Sequence, residues 1–219
     1  MKPFKPPSPI ATNTLIGLCV AVMAGGWLGG PAFANAMPFA FGLVPARITA
    51  AFAGTAALVP ALATFVTHIF VHGGLLHLGL NMLFLAWVGR YVEWVTGRTA
   101  LIALFLAGGI AGGLMQVIAN PVSPQPIVGA SGAISAVFGA YAVLFARSRA
   151  SARQVLGFNI SAEVLTALWY AAAWIGLQLL TALALNTPDG FQIAIWTHIG
   201  GFLTGLALGQ FWGRGPQID

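Results

Sequence analysis

From Thr99 to Ala146 the chain carries no charged side chain, and the same is true from Pro6 to Ala46, Ile48 to Gly89, Val164 to Pro188 and Gly190 to Gly213. Intervals of this length leave few folds open. Only 6% of the residues are charged and 58% are hydrophobic, against about 25% charged in a soluble domain, so polar surface is too scarce to face water. A helix needs about 20 apolar residues to cross a bilayer, and each interval holds at least one such stretch. The expected fold is an all-α polytopic membrane protein.

Six spans are predicted, over 13–34, 73–92, 99–118, 128–146, 164–185 and 193–213, with breaks such as "NPVSPQP" (120–126) and "NTPDG" (186–190) that are rich in turn residues. With the N-terminus inside, eight of the nine basic residues fall on the inner side and only Arg47 is left outside. That bias sets the orientation. The net charge of +5 thus reports topology and gives no support for nucleic-acid binding. The domain plan is a cytoplasmic tail over 1–12, a membrane domain over 13–213 and a cytoplasmic tail over 214–219. "KPFK" followed by an apolar run and "AFANA" (32–36) has the layout of a signal peptide, but the run from Thr14 to Gly30 exceeds a usual signal core, and an uncleaved span is expected. The segment 35–72, interrupted by Pro38, Pro45 and Pro60, is expected to lie partly in the outer leaflet, shielded by the other helices. The single cysteine, Cys19, allows neither a disulfide framework nor a CxxC metal site.

The polar residues converge. Four histidines occur, three of them in "THIFVHGGLLHLGLN" (67–81) and the fourth in "WTHIGGFLTG" (196–205). Gly73–Gly74 is a plausible break, so His72 belongs to the preceding loop, while His77 and Asn81, four residues apart, share a helix face. Spans two, four and six all start at the outer face. Their early residues include His77 and Asn81, Ser131 and His198, each within about 5–12 Å of its helix's outer end at 1.5 Å per residue. Taken singly, Ser131 fits a packing serine, and His77 with Asn81 fits interhelical hydrogen bonding. Their shared depth is what suggests a site.

A serine hydroxyl becomes a nucleophile when an imidazole accepts its proton, and acyl transfer also needs donors aimed at the oxyanion. His198 is the available base, and the Ser131 amide with His77 and Asn81 can supply the donors. Of the carboxylates Glu93, Glu163, Asp189 and Asp219, only Asp189 is expected outside, so a Ser–His dyad is favoured over a triad. Gly201, Gly205 and Gly209 on span six, with Gly129, Gly132, Ala136 and Ala140 on span four, offer small-residue faces for close helix approach. If these faces meet, His198 is carried toward Ser131.

The pieces "HGGLLHLGLN" (72–81), "GASGA" (129–133) and "HIGGFLTG" (198–205), in this order and topology, resemble the rhomboid family of intramembrane serine proteases over roughly residues 60–210. The resemblance implies a six-helix rhomboid-like bundle with a partly embedded first loop. It makes Ser131 the nucleophile, His198 the base, and His77, Asn81 and the Ser131 amide the oxyanion site. His72, Gly129 and Gly132 become supporting residues, and Glu93 followed by Gly97 a structural acidic position. It implies transmembrane segments of other proteins as substrates, the lipid bilayer as surroundings, and no cofactor or metal. A compact six-span form is expected of a bacterial inner membrane. The chain departs from the family pattern in two places. Position 135 is Ser where many members carry an aromatic ring on the catalytic histidine, leaving Phe138 or Trp196 to steer His198. The first loop also lacks a Trp-Arg pair. The loop 186–192 with the adjoining end of span five is the expected lid. The competing classes are a catalytically silent adaptor that binds transmembrane helices, a transporter, and a metal or haem protein using His68 and His72.

Overall fold

The computed structural model describes residues 8–146, 153–155, 158–160, 165, 169, 170, 172–174, 176 and 194–212. The architecture is a helical bundle. Among the described residues eight helices have defined bounds: α1 (Ile10–Leu28), α2 (Gly30–Phe41), α3 (Pro45–Phe52), α4 (Leu58–Thr67), α5 (Leu75–Thr96), α6 (Arg98–Ala119), α7 (Ser131–Ala146) and α8 (Ile195–Gly209). Between α7 and α8 the backbone pairs once as antiparallel β1 (Arg153–Val155) and β2 (Phe158–Ile160). Trp169, Tyr170 and Trp174 stand on helical backbone within the predicted fifth span, most of which, like the predicted lid at 186–192, lies outside the described residues.

Among the described residues three helices are long and apolar enough to cross a membrane: α1, α5 and α6. The 22 residues of α5 or α6 extend about 33 Å at 1.5 Å per residue, enough for a hydrocarbon core of about 30 Å. In contrast, α7 has 16 residues and α8 has 15. The predicted fourth span opened at residue 128, yet α7 begins three residues later, because residues 120–130 run as turn and extended chain. The predicted first span is also corrected. It stops at Leu28, and Gly30 with a φ of 84° turns the chain into α2.

The prolines of the first loop do not all interrupt helices. Pro45 is the first residue of α3 and Pro60 lies in the first turn of α4, where an amide hydrogen would have no helical acceptor and a fixed φ suits the helix. Only Pro38 sits inside a helix. Leu43, Ile48, Ala51, Ala61 and Val117 form a small core between this loop and α6.

One capping interaction fixes the start of the bundle. The N-cap of α1 is Pro9, which offers no side-chain acceptor. The buried carboxylate of Glu93, near the end of α5, takes its place. It accepts hydrogen bonds from the amides of Ala11 and Thr12, both at 2.9 Å, and from the Thr12 hydroxyl at 2.8 Å. A carboxylate suits the positive end of a helix, where leading amides lack partners. Gly89, one turn before Glu93, leaves room for this approach, since a Cβ there would meet the Thr12 side chain at 2.9 Å. Gly97, with a φ of 86°, is then the single residue between α5 and α6.

The centre of the bundle is α7, buried on every side from Gly132 to Ala140. It packs on α8 through backbone. A Cβ on Gly205 would land on the Ala136 carbonyl, one on Gly209 would meet the Ala140 Cα at 2.9 Å, and one on Gly139 would meet the Gly205 Cα at 3.1 Å. On the α6 side, Gly108 leaves room for the Ala136 methyl, and α6 and α8 meet each other where a Cβ on Gly200 would reach the Gly112 Cα at 3.0 Å. The small-residue faces of the two helices meet, and they bring the start of α8 beside the start of α7.

Candidate active site

Ser131 is the first residue of α7 and His198 the fourth of α8. Their side chains meet: His198 Nε2 lies 2.7 Å from Ser131 Oγ. With Nε2 accepting from the hydroxyl, a neutral imidazole carries its hydrogen on Nδ1. Among the described residues Nδ1 has no hydrogen-bond partner, so no carboxylate completes a triad there. His198 is 7% exposed, and Gly132 is the reason it can sit so close. A Cβ on Gly132 would strike the Thr197 methyl, and one on Gly201 would strike the Gly132 carbonyl.

The loop that leads into Ser131 is stitched to the first loop by backbone. Ile127 exchanges both of its hydrogen bonds with Leu43, at 3.0 and 2.8 Å, the Gly129 amide donates to the His68 carbonyl at 2.9 Å, and the Ala46 amide to the Ser123 carbonyl at 3.0 Å. Thr49 Oγ1 adds a bond to the Pro121 carbonyl at 2.8 Å. Arg47, the one basic residue of the first loop, donates to the carbonyls of Phe39 and Gly42 at 2.7 and 2.5 Å and so closes the end of α2.

His72 and His77 frame the approach to Ser131. His72 lies in the turn before α5, as expected, with Nδ1 3.2 Å from the Phe70 carbonyl and Nε2 3.4 Å from the Ala130 amide. The carbonyl takes the Nδ1 hydrogen, leaving Nε2 to accept from the residue before Ser131. Burial, and then the neighbouring His77, push the His72 imidazole down to about 4, in keeping with a neutral ring in that role. The rings of His72 and His77 meet edge to face at 5.2 Å. The Gly73 amide donates to His77 Nδ1 at 3.4 Å, so a neutral His77 bears its hydrogen on Nε2. That edge lies on Gly129, where a Cβ would come within 2.7 Å of Nε2 and where φ is 116°. Position 129 therefore requires glycine twice over. Asn81, one turn further along α5, donates to the His77 carbonyl at 2.8 Å through Nδ2, which leaves its second amide hydrogen. The Ser131 amide belongs to the first turn of α7, where helical acceptors run out.

Other expectations fall differently. Trp196 is 43% exposed, and Phe138 packs among Tyr141, Tyr170, Trp174 and Phe202. Among the described residues neither makes a ring contact with His198. His68 is fully buried, with Nδ1 on the Thr64 carbonyl at 2.8 Å. Sequence reasoning missed three polar groups behind the pair. His68 Nε2, Gln116 Oε1 and Thr197 Oγ1 are buried without a hydrogen-bond partner among the described residues, as is His198 Nδ1. They gather around one stretch of α6, since Gly112 abuts Thr197 and Gly113 abuts the His68 ring. Buried polar atoms of this kind are the groups that hold internal water. On the other side of His72 a cavity of about 720 Å³ opens between the end of α1, α2 and the loop before Ser131, with Trp27, Asn35, Phe39, Gln125 and Val128 in its wall.

These features define a helical membrane protein with a serine and a histidine in hydrogen-bond contact between two short central helices. A family model described as the Rhomboid domain matches residues 60–215, and the chain belongs to the rhomboid family. It is 30% identical over 143 residues to RHOMBOID-like protein 5 of Arabidopsis thaliana, covering 64% of this chain and 41% of that one. It is 33% identical over 143 residues to Rhomboid protease GluP of Bacillus subtilis, covering 65% and 25%. Rhomboid-related protein 3 of Homo sapiens is 38% identical over 77 residues, covering 35% and 19%. The chain thus spans less than half the length of these curated relatives.

Proposed function

We propose that this protein is an intramembrane serine endopeptidase that cleaves transmembrane segments of other membrane proteins. The observation that carries the reading is the 2.7 Å contact between Ser131 Oγ and His198 Nε2. Neutral His198 takes the hydroxyl proton as Ser131 attacks the scissile carbonyl, then returns it to the leaving amine. The carbonyl oxygen gains charge and draws donors from the Ser131 amide, His77 Nε2 and the second amide hydrogen of Asn81. Water then attacks the acyl-enzyme, with His198 again as base. The buried polar atoms around Gly112 and Gly113 suit the supply of that water, and the cavity beside Val128 suits an incoming polypeptide. No cofactor or metal takes part in these steps. The positive-inside bias supports a cytoplasmic N-terminus with Ser131 toward the outer face, and the compact six-span reading of a membrane domain over 13–213 suits a bacterial inner membrane.

Purified protein in detergent should cleave a fluorescent transmembrane substrate, while Ser131→Ala and His198→Ala should each lose cleavage by at least about 10³-fold with an unchanged thermal midpoint. A fluorophosphonate should label the wild type at Ser131. A wild type that binds the substrate helix, leaves it intact and resists the label would make the protein a silent adaptor and end the protease reading.

A further inference from the structure

Ser135 lies one helical turn after Ser131 and is completely buried. Its Oγ lies 2.7 Å from the Ser131 carbonyl, and the indole nitrogen of Trp174 lies 3.1 Å from the same Oγ. A hydroxyl has one hydrogen. The indole can only donate, so Ser135 accepts from Trp174 and turns its own hydrogen to the carbonyl of Ser131. Trp174, 5% exposed, is itself held edge-on by Phe84 of α5 at 5.1 Å and tilted against Phe138 of α7 at 5.3 Å. On the remaining side of Ser135 stands α8: a Cβ on Gly201 would meet the Ser135 Cβ at 3.3 Å, and Gly201 is one turn from His198. The helix of the nucleophile, the helix of the base and the backbone bearing Trp174 therefore meet at one hydroxyl.

We propose that Ser135 and Trp174 are positioning residues for the Ser131–His198 pair, acting through the peptide that joins Ser131 to Gly132. A serine that bonds back to the carbonyl four residues earlier tilts that carbonyl and bends its helix. Here the tilted peptide is the one that carries the nucleophile, and Gly132 at its far end is wedged against Thr197 and Gly201. The donor from Trp174 fixes the direction of the Ser135 hydroxyl. The alignment of Ser131 with His198 thereby depends on whether the Trp174 indole is docked between α5 and α7, and an event that lifts it away slackens the nucleophile. This inference rests on the protease reading.

The test compares Trp174→Phe, which keeps an aromatic ring between Phe84 and Phe138 and removes the N–H donor along with part of the ring system, with Ser135→Ala and the double variant. Leu101→Ala serves as a control, emptying a buried site on α6 far in sequence from the network. The full chain in detergent is assayed for the rate of fluorophosphonate labelling at Ser131 and for kcat and KM on a transmembrane substrate. Each single variant is expected to lower labelling and kcat about tenfold, the scale of a small misalignment of reacting atoms, with KM within about twofold of wild type. The double variant is expected to fall no further than Ser135→Ala, because both changes break one relay. Leu101→Ala should lower the thermal midpoint and leave the labelling rate unchanged. Labelling of Trp174→Phe at the wild-type rate, or losses that multiply in the double variant, would overturn the inference while leaving the protease reading intact. A wild type that resists the label overturns both.

Discussion

Two seams run along α7, and they are built on opposite plans. Toward α8 the contacts are backbone against backbone, through Gly132, Gly139, Gly201, Gly205 and Gly209, and toward α6 the bare Gly108 receives the Ala136 methyl. Toward α5 and the described residues of the fifth span the contacts are rings: Trp87, Tyr91, Phe138, Tyr141, Phe145, Tyr170 and Trp174 form a connected column in which each ring centroid lies within 6.3 Å of a neighbour's. Association within lipid gains little from burying apolar surface, so close packing and hydrogen bonds must do the holding. The glycine seam has no side chain to yield and locates His198 against Ser131 as one rigid body. The ring seam meets through broad faces, and it includes a hydrogen bond from Trp174 to Ser135. Backbone contact joins the helices of nucleophile and base, and ring contact joins α7 to α5, Tyr170 and Trp174.

Substitutions can break that contrast. The largest effect is expected for Gly205→Leu, which drives a side chain into the Ala136 carbonyl. It should cost at least ~3 kcal/mol and abolish labelling of Ser131, and a variant that labels normally would show that the backbone seam does not set the site. Gly129→Ala is expected next. It imposes a positive φ on a residue with a Cβ, at about 1–2 kcal/mol, and pushes the His77 ring off the loop, so cleavage should fall about 100-fold while the protein still folds. In the ring seam, Tyr141→Leu should cost about 1 kcal/mol in thermal unfolding and change kcat less than threefold. An equal loss of cleavage in Tyr141→Leu and Gly129→Ala would erase the distinction between the seams. The smallest effect is expected for Trp196→Ala, two residues before the base yet 43% exposed. Its stability should stay within about 0.5 kcal/mol of wild type, and its labelling rate should not move.

What the sequence made legible follows from how lipid selects residues. Charge-free intervals announced the spans because a charge in hydrocarbon is costly, and Ser131, His77, Asn81 and His198 stood out because polar groups there are rare. Element ends were harder to read. In a chain this apolar, loop and helix share a composition, so the stop of α1 at Leu28 and the late start of α7 had to come from backbone: the positive φ of Gly30 in one case, and the pairing of Ile127 with Leu43 in the other. Pro45 and Pro60 read as interruptions but begin helices, since a proline in the first turn gives up no bond. Trp174 was hidden for a different reason. A tryptophan is at home at any membrane interface, and only its distance to Ser135 separates this one from the rest.

The cap of α1 has a consequence for the order of assembly. Glu93 lies 82 residues after Ala11, so during synthesis the first helix forms well before the group that satisfies its leading amides exists. Those amides stay with water at the membrane surface until α5 is inserted and delivers its carboxylate. The leading amides of the first helix thus gain their acceptor only when α5 joins it.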